Sequence, residues 1–213
     1  SYRQEPNAIP GRHDIIFPMF EFEMPGTIDD LKAMEYELVD YLGFEKPTEK
    51  TYAEWQKHYG LAEDYEMTAE EEGKMFDEFT TTLITDFPEF TSPFWNMSRY
   101  EDGVHSKKID VILGGMETIG SAERSTDVDM MRDTFHTITD GEYSQLLYKL
   151  FGKERVEAEL EKFLEFDFFE RVGGGIGMTR MIAALETLDN DVQVANGAIA
   201  QSNQKGLDLH GWK

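Results

Sequence analysis

The sequence predicts an α+β domain built on one antiparallel sheet. Strand-like segments follow one another without a helix between each pair, and helices are added before, within and after that run. A composition that is 40% hydrophobic and 13% aromatic in 213 residues supplies one good-sized core and excludes a disordered acidic chain.

Residues 1–5 (SYRQE) and 15–24 (IIFPMFEFEM) read as two strands. The second alternates, with Phe20, Phe22 and Met24 on one face and Met19, Glu21 and Glu23 on the other. PNAIPGRHD between them is rich in turn formers and reads as a loop. An amphipathic helix runs from the N-cap Thr27 to about Leu42, with Leu31, Met34, Leu38 and Leu42 on one face and Gly43 as its stop. Residues 45–79 are polar and acidic, with three glutamates at 70–72, and read as an insertion with a short helix near 69–78. Strands are expected at 80–87, 93–99 and 107–113, then METIGSAER at 116–124 as a strand turning into a helix at 125–137. Two acidic helices near 141–151 and 154–165 lead to VGGGIGMTRMIAALETL at 172–188, and a polar tail closes the chain at 189–213. There is no internal repeat.

The absence of cysteine removes disulfides and thiolate metal sites and fits a reducing cytoplasm, the expected location. No apolar run approaches the roughly 18–20 residues of a membrane span, and no signal-peptide pattern opens the chain. Forty-three acidic against twenty basic residues give a net charge of −23. Such a field solubilises the surface and repels extended phosphate backbones, so any phosphate must be met by a few local arginines or by metal ions on carboxylates.

Three segments carry candidate chemistry. Arg3 lies on a strand facing a loop that holds Arg12 and His13, a natural clamp for a triphosphate because a guanidinium gives permanently charged, bidentate donors. Phe17, just beyond that loop, offers a flat face to a purine. Asp110 and Glu117 are seven residues apart on neighbouring strands and suit Mg²⁺ bridging ATP phosphates, and Arg124, seven further on, would pair with a substrate carboxylate or carbonyl. In GGGIGMTR, glycines at 173, 175 and 177 allow close approach of a ligand or another backbone, and Arg180 opens the next helix. The imperfect G-x-G-x-x-G spacing, with no βαβ unit after it, argues against a dinucleotide fingerprint, and the missing Gly-Lys-Ser/Thr excludes a Walker A loop. Each segment alone also fits an ordinary hairpin, a solvated acidic surface or close backbone packing. Their order and separation are what point to a site.

Taken together these segments resemble class II aminoacyl-tRNA synthetases, most closely the aspartyl/asparaginyl branch, which includes asparagine synthetase A-like proteins. YRQE with Arg12-His13 and Phe17 is similar to motif 2 (residues 1–24), and GGGIGMTR to motif 3 (172–188). ITDFPEFTSPFWNM at 84–97 and KIDVILGGMETIGSAER at 108–124 are similar to the metal and substrate stretches between them. The resemblance implies a class II synthetase-like antiparallel sheet flanked by helices over 1–188, leaving 45–79 and the tail uncovered. Motif 1 is absent from the chain, so the fold is expected to be truncated or reduced. The full-length family member is expected to be a homodimer.

The resemblance also implies roles. Arg3 would bind the α-phosphate and share the catalytic role with Arg180. Glu5 would touch the adenine or the acceptor end. Arg12 and His13 would hold the outer phosphates, and Phe17 and Arg180 would sandwich the purine above Gly175 and Gly177. Asp110 and Glu117 would hold Mg²⁺, with Glu117 also reaching ATP. Glu21 and Arg124 would contact the aspartate or asparagine substrate. The departures are Thr179 before Arg180, where the tRNA ligases have glutamate, and Glu123 in place of glutamine before Arg124. The F-P-R signature of the tRNA ligases is also missing after residue 188. The expected activity is that of an AMP-forming ligase that activates aspartate or asparagine. Thr179, the charge and the lack of an anticodon-binding module in this chain favour ammonia as acceptor. Glu21 and IGSAER favour tRNA. A non-catalytic paralogue that binds a nucleotide or a partner is the third expectation.

Overall fold

The computed structural model describes residues 1–5 and 15–188. Arg12, His13 and the tail at 189–213 lie outside the described residues. Among the described residues, seven strands form one sheet in the order β1-β2-β7-β6-β5-β4-β3. They are β1 (Tyr2–Gln4), β2 (Ile16–Pro25), β3 (Thr48–Thr51), β4 (Thr81–Pro88), β5 (His105–Leu113), β6 (Met116–Arg124) and β7 (Arg171–Gly177). Every neighbouring pair is antiparallel except β3 with β4.

One face of the sheet is covered by α1 (Ile28–Tyr41) and by α7 over 178–188. Leu31 and Val39 of α1 and Met181 and Ala184 of α7 pack on Ile109, Val111, Ile119, Val172 and Ile176. Full burial of one such aliphatic side chain stabilises by roughly 1.5–3 kcal/mol, so this layer carries the main core. Helix α1 starts where Asp30 Oδ2 accepts from the Thr27 N–H at 2.9 Å and the Thr27 hydroxyl at 3.0 Å, which lowers the Asp30 carboxyl below its usual range. It ends at Gly43, whose φ of +89° is the left-handed stop that glycine accepts without strain. Buried Glu123 reaches up from β6: its Oε2 accepts the Ile28 N–H at 2.8 Å and its Oε1 takes Lys107 Nζ at 2.6 Å. A carboxylate there complements the positive end of the helix. Glu123 therefore anchors α1 on the core side of the sheet.

The opposite face is covered at one end by α2 (Tyr52–His58) and α3 (Ala69–Phe79). Tyr52, Trp55 and Met75 pack there on Ile84, Phe87 and Ile112, and the buried Trp55 indole donates to Leu83 O at 3.1 Å. The acidic stretch 45–79 thus contributes β3 and a layer of the core. A third cluster joins α4 (Val128–Thr137), α5 (Glu142–Phe151) and α6 (Lys153–Leu164) around Met131, Phe135, Leu160 and the loop residue Trp95.

Two expectations change. Residues 93–99 are not a strand: Met97 and Arg99 make isolated bridges to Arg124 and Ser106 only. The Arg99 guanidinium satisfies the carbonyls of Pro93 at 3.2 Å and Met97 at 2.7 Å, and its pairing with Glu89 closes the loop. Backbone bonds from Ser98 N–H to Glu123 O at 2.8 Å and from Lys107 N–H to Ser98 O at 2.9 Å tie the loop to β6 and β5. The strand expected at 116–124 is β6 as read, but the helix expected from 125 begins only after Asp127, whose Oδ1 accepts the Met130 N–H at 2.9 Å.

Candidate active site

The sheet face left open between α2–α3 and β1 forms a cleft. Arg3 of β1 lies opposite Phe17 of β2. Beyond Phe17, side chains at every second position (Met19, Glu21, Glu23) reach over the cleft face, because strand side chains alternate. Met19 is opposite Gly177, Glu21 opposite Gly175 and Glu23 opposite Gly173 on β7. A methyl group built on Gly173 would lie 2.6 Å from Glu23 Cδ, and one on Gly175 would lie 2.7 Å from Met19 Cε. The bare strand is the floor across which the β2 side chains lie.

Glu117 and Arg124 present a phase problem, since seven residues of unbroken strand would send them to opposite faces. A β-bulge resolves it. The register slips between Val111 and Ile112 of β5, so that Ile112 pairs with Glu117 while Val111 pairs with Ile119 and Asp110 with Gly120. Thr118 is the extra residue, buried with its hydroxyl donating to Met116 O at 3.0 Å. The bulge puts Glu117, Gly120 and Arg124 on the same face as Asp110.

Two contiguous cavities, of about 1000 Å³ and about 200 Å³, share Arg3, Met19, Glu117, Gly120 and Gly175 as walls. The smaller is lined also by Glu5, Phe17, Gly177 and Arg180. The larger is lined also by Glu21, Asp110 and Arg124. Apart from Gly173, every candidate residue within the described part of the chain therefore borders this cleft.

Its charges are arranged unevenly. Arg180 Nη1 donates to Glu117 O at 2.6 Å and stands 3.8 Å from Glu117 Oε2. Arg124 Nε donates to Glu23 Oε1 at 2.9 Å, and Arg171 approaches the other oxygen of Glu23 at 3.7 Å. Among the described residues, Arg3 and Glu21 have no side-chain hydrogen bond or ion pair, so both remain available to a ligand. Burial pushes the Asp110 carboxyl up to about 7; the Lys108 ammonium opposes this and the Glu117 carboxylate adds to it. Lys108 Nζ sits 2.5 Å from Asp110 Oδ2, while Asp110 Oδ1 is buried without a partner.

Lys108 and the walls from Tyr52, Glu66, Phe87 and Phe94 were not singled out from the sequence. Strand phase would have found Lys108, two residues before Asp110 on the same face. The walls come from segments distant in sequence and leave no local signal.

Asp110 and Glu117 suit a hard cation. A methyl group on Gly120 would meet Glu117 Oε1 at 2.7 Å and Asp110 Oδ1 at 3.5 Å, so both oxygens flank one spot. Among the described residues no group of three or more histidine, cysteine, aspartate or glutamate side chains could hold a metal. Two carboxylates with the remaining shell from water and phosphate oxygens match Mg²⁺ bound with a nucleotide.

The sequence model for class II tRNA synthetases (D, K and N) matches residues 6–195. The chain belongs to this family. Among solved structures, it is similar to an aspartyl-tRNA synthetase from Entamoeba histolytica, with a TM-score of 0.67 and 16% identity over 87% of this chain and 44% of that one. It is also similar to asparaginyl-tRNA synthetases complexed with asparaginyl-adenylate from Pyrococcus horikoshii (TM-score 0.66, 18% identity, 84% of this chain and 46% of that one) and from Entamoeba histolytica (0.68, 18%, 86% and 48%). At these identities the likeness shows the class II synthetase fold, an antiparallel sheet with flanking helices. The chain spans less than half the length of those structures. A search of the curated proteins found no match. No helix among the described residues is long and apolar enough to cross a membrane.

Proposed function

We propose that this class II synthetase-family chain is an ATP-dependent, AMP-forming ligase that activates aspartate, or asparagine, as an aminoacyl-adenylate. One observation carries the reading: a single cleft joins a cationic and aromatic end (Arg3, Phe17, Arg180) suited to a nucleotide to an amino-acid end (Glu21, Arg124), with Glu117 bordering both. A substrate carboxylate oxygen attacks the α-phosphorus of ATP; the new O–P bond forms as the bond to pyrophosphate breaks. No protein nucleophile takes part. Arg3 and Arg180 stabilise the charge that builds on the α-phosphoryl oxygens, and the cleft aligns the two reactants. Phe17 takes the purine, and Arg12 and His13 belong to the outer phosphates in this reading. Mg²⁺, when bound on Asp110 and Glu117, neutralises phosphate charge.

For the acceptor we favour ammonia. Thr179 and the net charge of −23, which opposes a nucleic-acid backbone, support it. In that case the reacting group is the side-chain carboxylate of aspartate, Arg124 holds the carboxylate that does not react, and ammonia displaces AMP to give asparagine. The likeness to tRNA synthetases supports a second reading, in which the α-carboxylate reacts and the acyl group passes to tRNA. A homodimer and a cytoplasmic location accompany both.

Pyrophosphate release is followed with Mg²⁺–ATP and aspartate or asparagine, then with ammonium or tRNA added. Release with aspartate that rises with ammonium and yields asparagine supports the first reading. Charging of tRNA supports the second. No release with either amino acid removes both and leaves a nucleotide- or partner-binding paralogue.

A further inference from the structure

Lys108 lies beside the carboxylate pair but has no role in the reading above, and its surroundings are unusually specific. Its ammonium is fixed from two directions, by Asp110 Oδ2 at 2.5 Å and by the face of the Phe87 ring, whose centroid is 3.7 Å away. Phe87 is buried in the layer beneath α2, so this ring cannot turn away freely. Asp110 is buried and its carboxylate is held by one oxygen only: Oδ2 is taken by Lys108 and Oδ1 has no partner. That unpartnered Oδ1 is the oxygen that shares the Gly120 spot with Glu117 Oε1.

A carboxylate free to rotate about its Cβ–Cγ bond would present either oxygen to a cation, or would bind it through both. One pinned through Oδ2 presents Oδ1 alone, at a fixed angle. Partners that hydrogen-bond a ligating carboxylate commonly set metal affinity in this way.

We propose that Lys108 is a positioning residue for the divalent cation: it pins Asp110 through Oδ2 and turns Oδ1 toward Glu117, with Phe87 fixing the ammonium. This rests on the assignment of Asp110 and Glu117 as the cation's ligands. If Lys108 simply occupies the cation's place, removing it should tighten metal binding.

The test is Mn²⁺ binding to the nucleotide-free protein, read by electron paramagnetic resonance, with thermal melts to confirm folding. Lys108→Met keeps the apolar stem against Phe87 and removes the charge. It is expected to weaken Mn²⁺ binding about 10–100-fold, and Lys108→Arg to recover most of the loss. Where Lys108→Met does not fold, Lys108→Leu gives the same reading, since it too is apolar and cannot donate to Oδ2. Asp110→Asn should also weaken binding, and adding Lys108→Met to it should weaken binding no further, because Lys108 acts through Asp110. Unchanged or tighter binding in Lys108→Met, beside a clear loss in Asp110→Asn, overturns the proposal alone. No loss in Asp110→Asn overturns the ligand assignment on which it stands.

Discussion

Replacing Glu35 by glutamine should make the protein's stability less sensitive to pH. Glu35 lies on the inner face of α1, fully buried among Leu31, Val39 and the sheet. Its Oε1 accepts from Ser121 Oγ at 2.5 Å, and its Oε2 has no partner. Burial raises its pKa from 4.5 to about 8; the Ser121 hydrogen bond opposes the rise and the negative charge of Asp110 adds to it. Between those two values the folded chain holds a proton that the unfolded chain has lost. Stability therefore falls as pH rises from about 4.5 to about 8, and levels off above that. The full span corresponds to roughly 4–5 kcal/mol at most. Glutamine cannot ionise, so the variant should lack this loss. It also carries an amide N–H₂ that must find acceptors, a pH-independent cost of about 1–3 kcal/mol. Urea titrations of both proteins at pH 5 and pH 8.5 separate the two effects, because the offset cancels in the comparison. The variant should gain about 4 kcal/mol relative to the parent between the two pH values. An equal gap at both would show that Glu35 is ionised, or exposed, throughout.

Arg180→Ala should abolish adenylate-dependent pyrophosphate exchange while leaving the melting temperature nearly unchanged; wild-type turnover would remove Arg180 from the site. Gly174→Ala should cost about 1–3 kcal/mol in denaturant titrations, since the added carbon would lie 2.6 Å from Ser121 Cβ and 2.8 Å from Gly120 O. Gly175→Ala meets only the movable end of Met19, so its effect should appear as weaker nucleotide binding by calorimetry with stability within about 1 kcal/mol. If both variants melt alike, the two faces of β7 have been confused. Raising NaCl from 0.1 to 1 M shortens the screening length from about 10 to 3 Å and should raise the melting temperature by relieving self-repulsion at a net charge of −23. A flat or falling curve would show that the acidic surface is already neutralised by local pairs.

Where hydrophobic spacing or capping was strong, the sequence was a good guide. Thr27, Gly43 and the apolar stripe of α1 marked that helix to within a residue or two. The β2 alternation correctly separated Phe22 and Met24 from Glu21 and Glu23. β3 was hidden because TEKT is short and polar and finds its place only beside β4. Residues 93–99 misled because an aromatic run looks like a strand, whereas Arg99 holds it as a loop. Within the cleft, residues that share a short motif were legible, and those that meet through the sheet order were not. Lys108, Phe87 and Tyr52 come together only because β4, β5 and α2 are neighbours in space. Glu35 and Ser121 are 86 residues apart, and no local pattern joins them.

The single extra residue at Thr118 acts as a phase shifter on a strand that must be read twice. Upstream of it, the strand shows odd-numbered Glu117 to the cleft; downstream it shows even-numbered Gly120 and Arg124. A one-residue deletion there would leave the sheet order intact and most of the core in place. It would also keep Glu117 and Arg124 on one face, now an even number of residues apart on a regular ladder; drawing out the full strand without the bulge is what would make the acidic and basic ends of the cleft mutually exclusive. Loop insertions elsewhere in such a fold are cheap to accept. At this position the bulge lets an odd spacing serve a single face, and so belongs to the chemistry.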